Sequence, residues 1–565
     1  MKKVLKWIGI LFGSLIGLLV ITAVVLVLFV DPNQYKGEII KAVKAKTGRD
    51  LRIDGKIGWS FFPRLGVEAG GVSLSNAPGF GPEPMAKIGT AGVSVRLLPL
   101  LSGRIAVDTV HVRDVTLNLA RNKAGKTNWE DLAGGDKPAK PAVTSTAVPA
   151  TAKQPLTELT IGRLDLKQIN LLWHDQGTGE RVSVRDLSLA TGRFEAGKPF
   201  NLNLALTLVR DKAAPIPVKL AAQVTAESDA LKLSGLDLLF GESRFTGTLE
   251  IRNFAHPVMR AELKVDRFDL DRYRTPAKDA PAAGSGANAG GDVALPLGLL
   301  RSLNLKAGLR VGNLKAFGLR VSDLDTKVSA VGGLIQFGPN KAALYGGQYQ
   351  GQTSLDARGA LPTLPTLRMD EKLDKVQLGQ LLKDMGLFGK FTGEAGVAVN
   401  LTAQGGSVNA LKRTLTGTIT VDSRDGRIEG VNLAKIIQDA RKLGAKLTGK
   451  SVEVAPAADD NTAFKTLHAT LRVKDGVAHN DDFKLDGAQV RATGKGSIDM
   501  VQEKLDFRLQ VTIAEGEDRK GASLPLSVTG GFAKLKFGVD LGAQAKQQVK
   551  QKTEDKLRNI LRKKR

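Results

Sequence analysis

From Phe200 to Leu208 every second residue is large and apolar: Phe200, Leu202, Leu204, Leu206 and Leu208 alternate with Asn201, Asn203, Ala205 and Thr207. Successive side chains of an extended chain point to opposite faces, so this stretch predicts a strand with one oily face and one polar face. The same period of two runs through Val93-Val95-Leu97, Ile105-Val107, Val115-Leu117-Leu119, Leu164-Leu166, Val218-Leu220-Ala222-Val224, Leu263-Val265, Leu467 to Val473 and Phe507-Leu509-Val511. Turn signals return every 8–12 residues or so, the spacing of an antiparallel all-β chain. Units of strand, turn and strand recur from Leu233 to Ile251 and from Leu471 to Met500, which argues for a repeated β unit.

Helical signals are few. Asp31-Pro32 opens a short helix, with an acidic N-cap and Pro at the first helical position; Tyr35, Ile39, Ile40 and Val43 fall on one face, and Gly48 ends it. Two further helices are predicted, around Val376 to Met385 and Asn432 to Leu443. The remaining apolar run, Trp7 to Val30, carries no charge. As a helix it would reach about 36 Å, enough to cross a hydrocarbon core of about 30 Å. It is too long for the apolar region of a cleaved signal peptide and is followed by Asp31-Pro32-Asn33, so it reads as an uncleaved anchor. Lys2, Lys3 and Lys6 precede it and Asp31 follows, which places the N-terminus in the cytoplasm and the bulk of the chain outside it.

Two low-complexity stretches, Ala133 to Pro155 and Thr275 to Gly291, are rich in Pro, Ala and Gly and read as linkers. The expected organisation is a cytoplasmic flank (1–6), an anchor (7–30), an N-terminal β region with its starting helix (31–132) and a linker (133–156). A middle β region (157–274), a second linker (275–296), a C-terminal β region (297–540) and a basic tail (541–565) follow.

So many strands and so few helices pose a physical question: what covers the apolar faces? Packing two sheets together solves it, as does a β-solenoid, and an open curved sheet solves it by holding a hydrophobic ligand in a trough. Alternation by itself favours the sandwich or solenoid, since most alternating strands simply build a core.

Composition narrows the chemistry. There is no cysteine, so neither a disulfide framework nor a Cys-based metal site is possible. The net charge of +25 would suit nucleic acid, but an exported chain meets anionic lipid head groups or lipopolysaccharide instead, and much of the charge belongs simply to the solvent faces of strands. Gly444 to Ser451 (GAKLTGKS) matches the phosphate-loop pattern in letters, yet its predicted helix precedes and its strand follows, the reverse of what a phosphate cradle needs. His111, His174, His256, His468 and His479 lack metal-ligand spacing. His468 and His479 sit in adjacent predicted strands and could approach one another, and Asp481-Asp482 reads as a turn. No nucleophile, base, metal or cofactor is expected, and the chain does not read as an enzyme.

From Gln544 to Arg565 basic residues dominate, with Val549, Leu557, Ile560 and Leu561 near one helical face. This basic amphipathic tail, including Lys556, Arg558, Arg562, Lys563, Lys564 and Arg565, is a candidate contact for an anionic membrane surface, each basic residue contributing about 1 kcal/mol there.

GWSFFPRLG (58–66), VSLSNAPGF (72–80), VSVRLLPLLSGRIAV (93–107) and NWEDL (128–132), in that order after an apolar anchor, resemble the AsmA family. The stretch from Thr414 to Met500 is similar to that family's C-terminal conserved part. The resemblance implies a Gram-negative inner-membrane protein facing the periplasm, without enzymatic activity, linked to outer-membrane biogenesis. It implies an elongated, twisted antiparallel β-sheet groove with a few short helices, along which phospholipid acyl chains are held or moved between the two membranes. Phe200, Leu202, Leu204, Leu206 and Leu208 are then candidate lipid-lining residues. The alternative is a periplasmic scaffold that assists outer-membrane proteins through protein contacts, such as edge-strand pairing.

Overall fold

The computed structural model describes residues 31–60, 66–96, 106–132, 162–211, 213–273, 292–359, 363–385, 391–444, 451–454, 460–513, 523–531 and 534–540. It is mainly β, and it divides into two compact units, Met1–Phe254 and Ala255–Arg565. The predicted anchor, most of both linkers and the basic tail lie outside the described residues. Among the described residues no helix is long and apolar enough to cross a membrane.

The first unit begins as the sequence dictates. Asp31 caps a 3-10 turn, Pro32–Tyr35, by accepting the Asn33 amide at 2.9 Å, and α1 (Lys36–Thr47) follows. Gly48, in the left-handed region at φ 70°, donates its amide to the Lys44 carbonyl and stops the helix. The apolar face predicted for α1 is not packed into a core: none of its residues is buried, and Tyr35 and Ile39 are exposed.

Strand β3 (Gly66–Leu74) pairs along its length with two short strands, β1 (Leu51–Ile53) and β2 (Ile57–Ser60). From there each strand pairs with the next: β4 (Ala86–Val95), β5 (Val107–Arg121), β6 (Arg163–Asp175), β7 (Arg181–Thr191), β8 (Pro199–Arg210), β9 (Ile216–Glu227), β10 (Ala230–Phe240) and β11 (Ser243–Arg252).

The second unit repeats the scheme. Strands β12 (Val258–Asp269), β13 (Asn304–Ala316), β14 (Leu319–Val331), β15 (Leu334–Leu344), β16 (Gly347–Asp356), β17 (Thr366–Gln377), β18 (Phe391–Gln404) and β19 (Thr416–Glu429) pair in sequence. Strand β19 then pairs with β21 (Asn461–Lys474), and the series continues through β22 (Val477–Asp486), β23 (Val490–Asp499), β24 (Lys504–Ile513), β25 (Ser523–Gly531) and β26 (Lys534–Asp540). Short helices α2 (Leu297–Ser302), α3 (Leu378–Asp384) and α4 (Val408–Arg413) punctuate it. Helix α5 (Leu433–Gly444) leaves β19, and β20 (Ser451–Val454) pairs with β26, so the chain crosses the β21–β26 run before returning to begin it.

Two pairings depart from the antiparallel expectation: β5 with β6 and β12 with β13 are parallel. Parallel neighbours need a long crossover, and these two are the joins that span the low-complexity stretches. The packed sandwich favoured by alternation is not what forms either, because strands within each unit extend one sheet by neighbour pairing. What covers the faces is instead local. Against β21–β26, the buried Val431, Leu433, Ile436 and Ile437 pack on Phe464, Leu485, Val511, Leu524 and Val539.

Candidate functional site

Register converts alternation into continuous apolar rows. In the first unit Leu166 lies opposite Leu189, Leu189 opposite Leu204, Leu204 opposite Leu220, Leu220 opposite Leu238 and Leu238 opposite Phe245. Directly opposed residues share a face, so six strands present one unbroken oily row. Of the predicted lining residues, Phe200 faces Val224, Leu202 faces Ala222, Leu206 faces Val218 and Leu208 faces Ile216. All five are half-buried on one face of β8, while Asn201 and Asn203 on the other are exposed. A depression of about 540 Å³ lies over these strands, lined by Leu166, Leu189, Leu204 and Leu220 of the row together with Lys167, Asn203, Lys219 and Leu239, and the Arg244 guanidinium donates to Asp237 within it. Its lining is mostly apolar and carries the Asp237–Arg244 ion pair.

The second unit builds the same rows. Leu373, Val397, Val421 and Ala469 form one, and Met369 and Leu401 lead into Gly417 and Val473 in another. Here the face deepens into a cavity of about 310 Å³ whose lining is entirely apolar. Leu378 and Leu382 of α3 and Leu433 of α5 line one side; Val421, Leu471, Leu485, Phe507 and Phe537 line the sheet side. Local capping positions α5. Asn432 accepts the Lys435 amide through Oδ1 at 2.9 Å, and Thr462 Oγ1 accepts the Leu433 amide at 2.9 Å while donating to the Val431 carbonyl at 2.6 Å. The rings of Phe391 and Phe464 meet at 5.4 Å, and those of Phe483 and Phe507 at 6.2 Å edge to face. A cavity of this kind binds by area and shape and offers no polar directionality to a guest.

Sequence reasoning found the strands of this cavity in Leu467 to Val473 and Phe507 to Val511 but not the cavity, because periodicity assigns faces without saying which helix sits over them. Lys556, Arg558, Arg562, Lys563, Lys564 and Arg565 lie outside the described residues, as does the phosphate-loop-like stretch between Gly444 and Ser451.

The histidines and acidic pairs are ion-paired or set in strand register. His468 and His479 are in adjacent strands but at different register positions, opposite Lys484 and Arg472 respectively. His468 instead meets Asp422 at 2.6 Å and Asp482 at 3.4 Å, and the hydrogen bond to Asp422 raises its pKa against the opposing effect of burial. Asp481 and Asp482 do not form a turn: they lie inside β22, where the register against β21 shifts, and Asp482 accepts the Thr470 amide at 2.8 Å. Among the described residues no group of three His, Asp or Glu side chains is placed to hold a metal ion.

The sequence profile of the AsmA family matches residues 1–275 and 298–483. Protein AsmA of Escherichia coli (strain K12) is 22% identical over 576 aligned residues, covering 91% of this chain and 90% of that protein. No solved structure matches.

Proposed function

The chain belongs to the AsmA family, and from that premise we propose that it is a non-enzymatic envelope protein that assists outer-membrane biogenesis by holding phospholipid acyl chains on its apolar sheet faces. The observation that carries the reading is the unbroken row Leu166, Leu189, Leu204, Leu220, Leu238 and Phe245, repeated in kind by the apolar cavity of the second unit. Half-buried leucines in a row leave oily surface that acyl chains cover at about 0.8 kcal/mol per buried methylene. Because the lining is non-directional, a chain slides along it as readily as it binds. In this reading Trp7 to Val30 anchors the protein in the inner membrane with its bulk in the periplasm, and the basic tail meets anionic phospholipid or lipopolysaccharide.

Site-specific photo-crosslinking in living cells tests it, with the probe at Leu204 and, on the opposite face, at Asn203. Phospholipid adducts at Leu204 and none at Asn203 are expected. Adducts at Leu204 confined to protein would overturn the lipid reading in favour of a protein-assembly scaffold.

A further inference from the structure

A carboxylate interrupts the apolar rows of the second unit. Strand β17 turns Leu367, Met369, Glu371 and Leu373 to the half-buried face, and Glu371 lies in register with Val399, then Ile419 and Leu471. On its other flank stands Gly351, and a side chain there would occupy the same space as the Glu371 carboxylate. The sheet leaves a place for this group.

A chain of hydrogen bonds from neutral side chains holds it. Glu371 accepts from Tyr349 Oη at 2.7 Å and from Thr353 Oγ1 at 2.5 Å. Tyr349 Oη accepts from Asn340 Nδ2 at 3.3 Å, and Asn340 Oδ1 accepts from Thr326 Oγ1 at 2.5 Å, with Asn340 and Thr326 both buried. Burial, reinforced by Glu371, pushes the Tyr349 hydroxyl up to about 12, so it remains a donor throughout the physiological range. Among the described residues no Lys, Arg or His side chain forms an ion pair with Glu371, and an ionised carboxylate has about four acceptor positions, of which these hydroxyls use two.

A half-buried anion set in an apolar row, with positions left for donors, is complementary to a small cation attached to an apolar body. We propose that Glu371, Tyr349 and Thr353 form a binding site for the primary-ammonium head group of a lipid whose acyl chains lie on the neighbouring apolar row. This rests on the reading of that face as lipid-holding and adds selectivity to it. The ammonium donates to the free lone pairs of Glu371, while the hydroxyl network holds the carboxylate in place over Gly351.

Native mass spectrometry of the full chain, offered equal amounts of phosphatidylethanolamine and phosphatidylglycerol with identical acyl chains, reads the selectivity directly. The wild type is expected to retain the ethanolamine lipid about tenfold over the glycerol lipid, the scale of one charge-assisted hydrogen bond. Glu371→Gln should bring that ratio to near unity with phosphatidylglycerol binding unchanged. N-acetylated phosphatidylethanolamine, which keeps the lipid but removes the ammonium, should lose the preference on the wild-type protein and so tests the site without any variant. Equal retention of both lipids by the wild type, or a preference that survives N-acetylation or Glu371→Gln, overturns the site. Retention of neither lipid by the wild type is a different result and overturns the lipid-holding reading beneath it.

Discussion

Arg49 and Asp131 form a two-pronged ion pair across 82 residues of sequence, Arg49 Nε donating to Asp131 Oδ2 at 3.1 Å and Nη2 to Oδ1. The guanidinium is 1% exposed and the carboxylate 46%. The same Nη2 donates to the Asn128 carbonyl at 2.6 Å, and Nη1 to the Ser75 carbonyl at 3.3 Å. Asn128, itself fully buried, donates to Asn76 Oδ1 and the Asn118 carbonyl and accepts the Ala120 amide. Two of the stretches that carry the family resemblance, VSLSNAPGF and NWEDL, therefore meet around one arginine that follows α1.

Arg49→Ala should destabilise the first unit severely, because it leaves Asp131 and two carbonyls without their donor at a site no other cation occupies. Each buried acceptor left without its donor costs about 1–3 kcal/mol. Asp131→Asn keeps an amide oxygen to accept from the guanidinium and should cost less. Urea unfolding followed by Trp fluorescence would show the two midpoints in that order.

The same pair sets an acid limit. The hydrogen bond from Arg49 holds the Asp131 carboxyl below its ordinary value, against the opposing effect of burial. Its contribution is therefore complete above the unfolded value near 3.9 and is lost as pH falls through the lowered folded value. Asp131→Asn should flatten that part of the acid-unfolding curve and leave the neutral region unchanged in shape.

How much of this could be read from residues alone depends on what period conveys. The alternation from Phe200 to Leu208 identified β8 and its faces, and Asp31, Pro32 and Gly48 marked the first helix at both ends, because these signals are local. Helices α2 and α4 are too short for a 3.6 period to show, although Ser407, which accepts the Ala410 amide, is the kind of cap that could have marked α4. Parallel joins depend on where a linker returns, which composition does not specify. Glu371 was legible in principle: it replaces an apolar residue in Leu367, Met369, Leu373. Its hydroxyl partners on β16 were not, since register across a turn decides them.

His468 should titrate above the ordinary histidine value, Asp422 being the main cause, with Asp482 adding to it against burial. A raised value means the imidazolium stabilises the fold below about pH 6.5, and this is lost as pH rises through the folded value. NMR titration should show Asp422→Asn moving the midpoint down, with Asp481→Asn, whose carboxylate pairs with Arg472, leaving it in place.

Ile437, 1% exposed in the contact between α5 and the sheet, should behave as core. Ile437→Ala is expected to cost about 2–5 kcal/mol through lost burial and the space left behind. Leu471→Ala, on the half-buried wall of the apolar cavity, removes surface that is not fully closed and should cost less while enlarging the cavity. Thermal unfolding would separate the two, and equal losses would mean that the cavity wall is packed as tightly as the core.

Leu220 and Lys219 are neighbours in β9 with opposite surroundings. Leu220 is half-buried in the row between Leu204 and Leu238, whereas Lys219 is exposed on the other face beside Ala205 and Leu239. A carboxylate at 220 would interrupt an oily row with a charge for which that row offers no cation in register. A carboxylate at 219 lies at an exposed position of a depression that also holds Arg244. Leu220→Asp should therefore reduce retained phospholipid strongly at a stability cost of about 1–3 kcal/mol. Lys219→Asp should change stability by no more than about 0.5 kcal/mol and leave lipid retention alone. Lipid extracted from the purified variants and quantified by mass spectrometry gives the comparison, and equal loss in both would mean that the row is not the surface that holds the lipid.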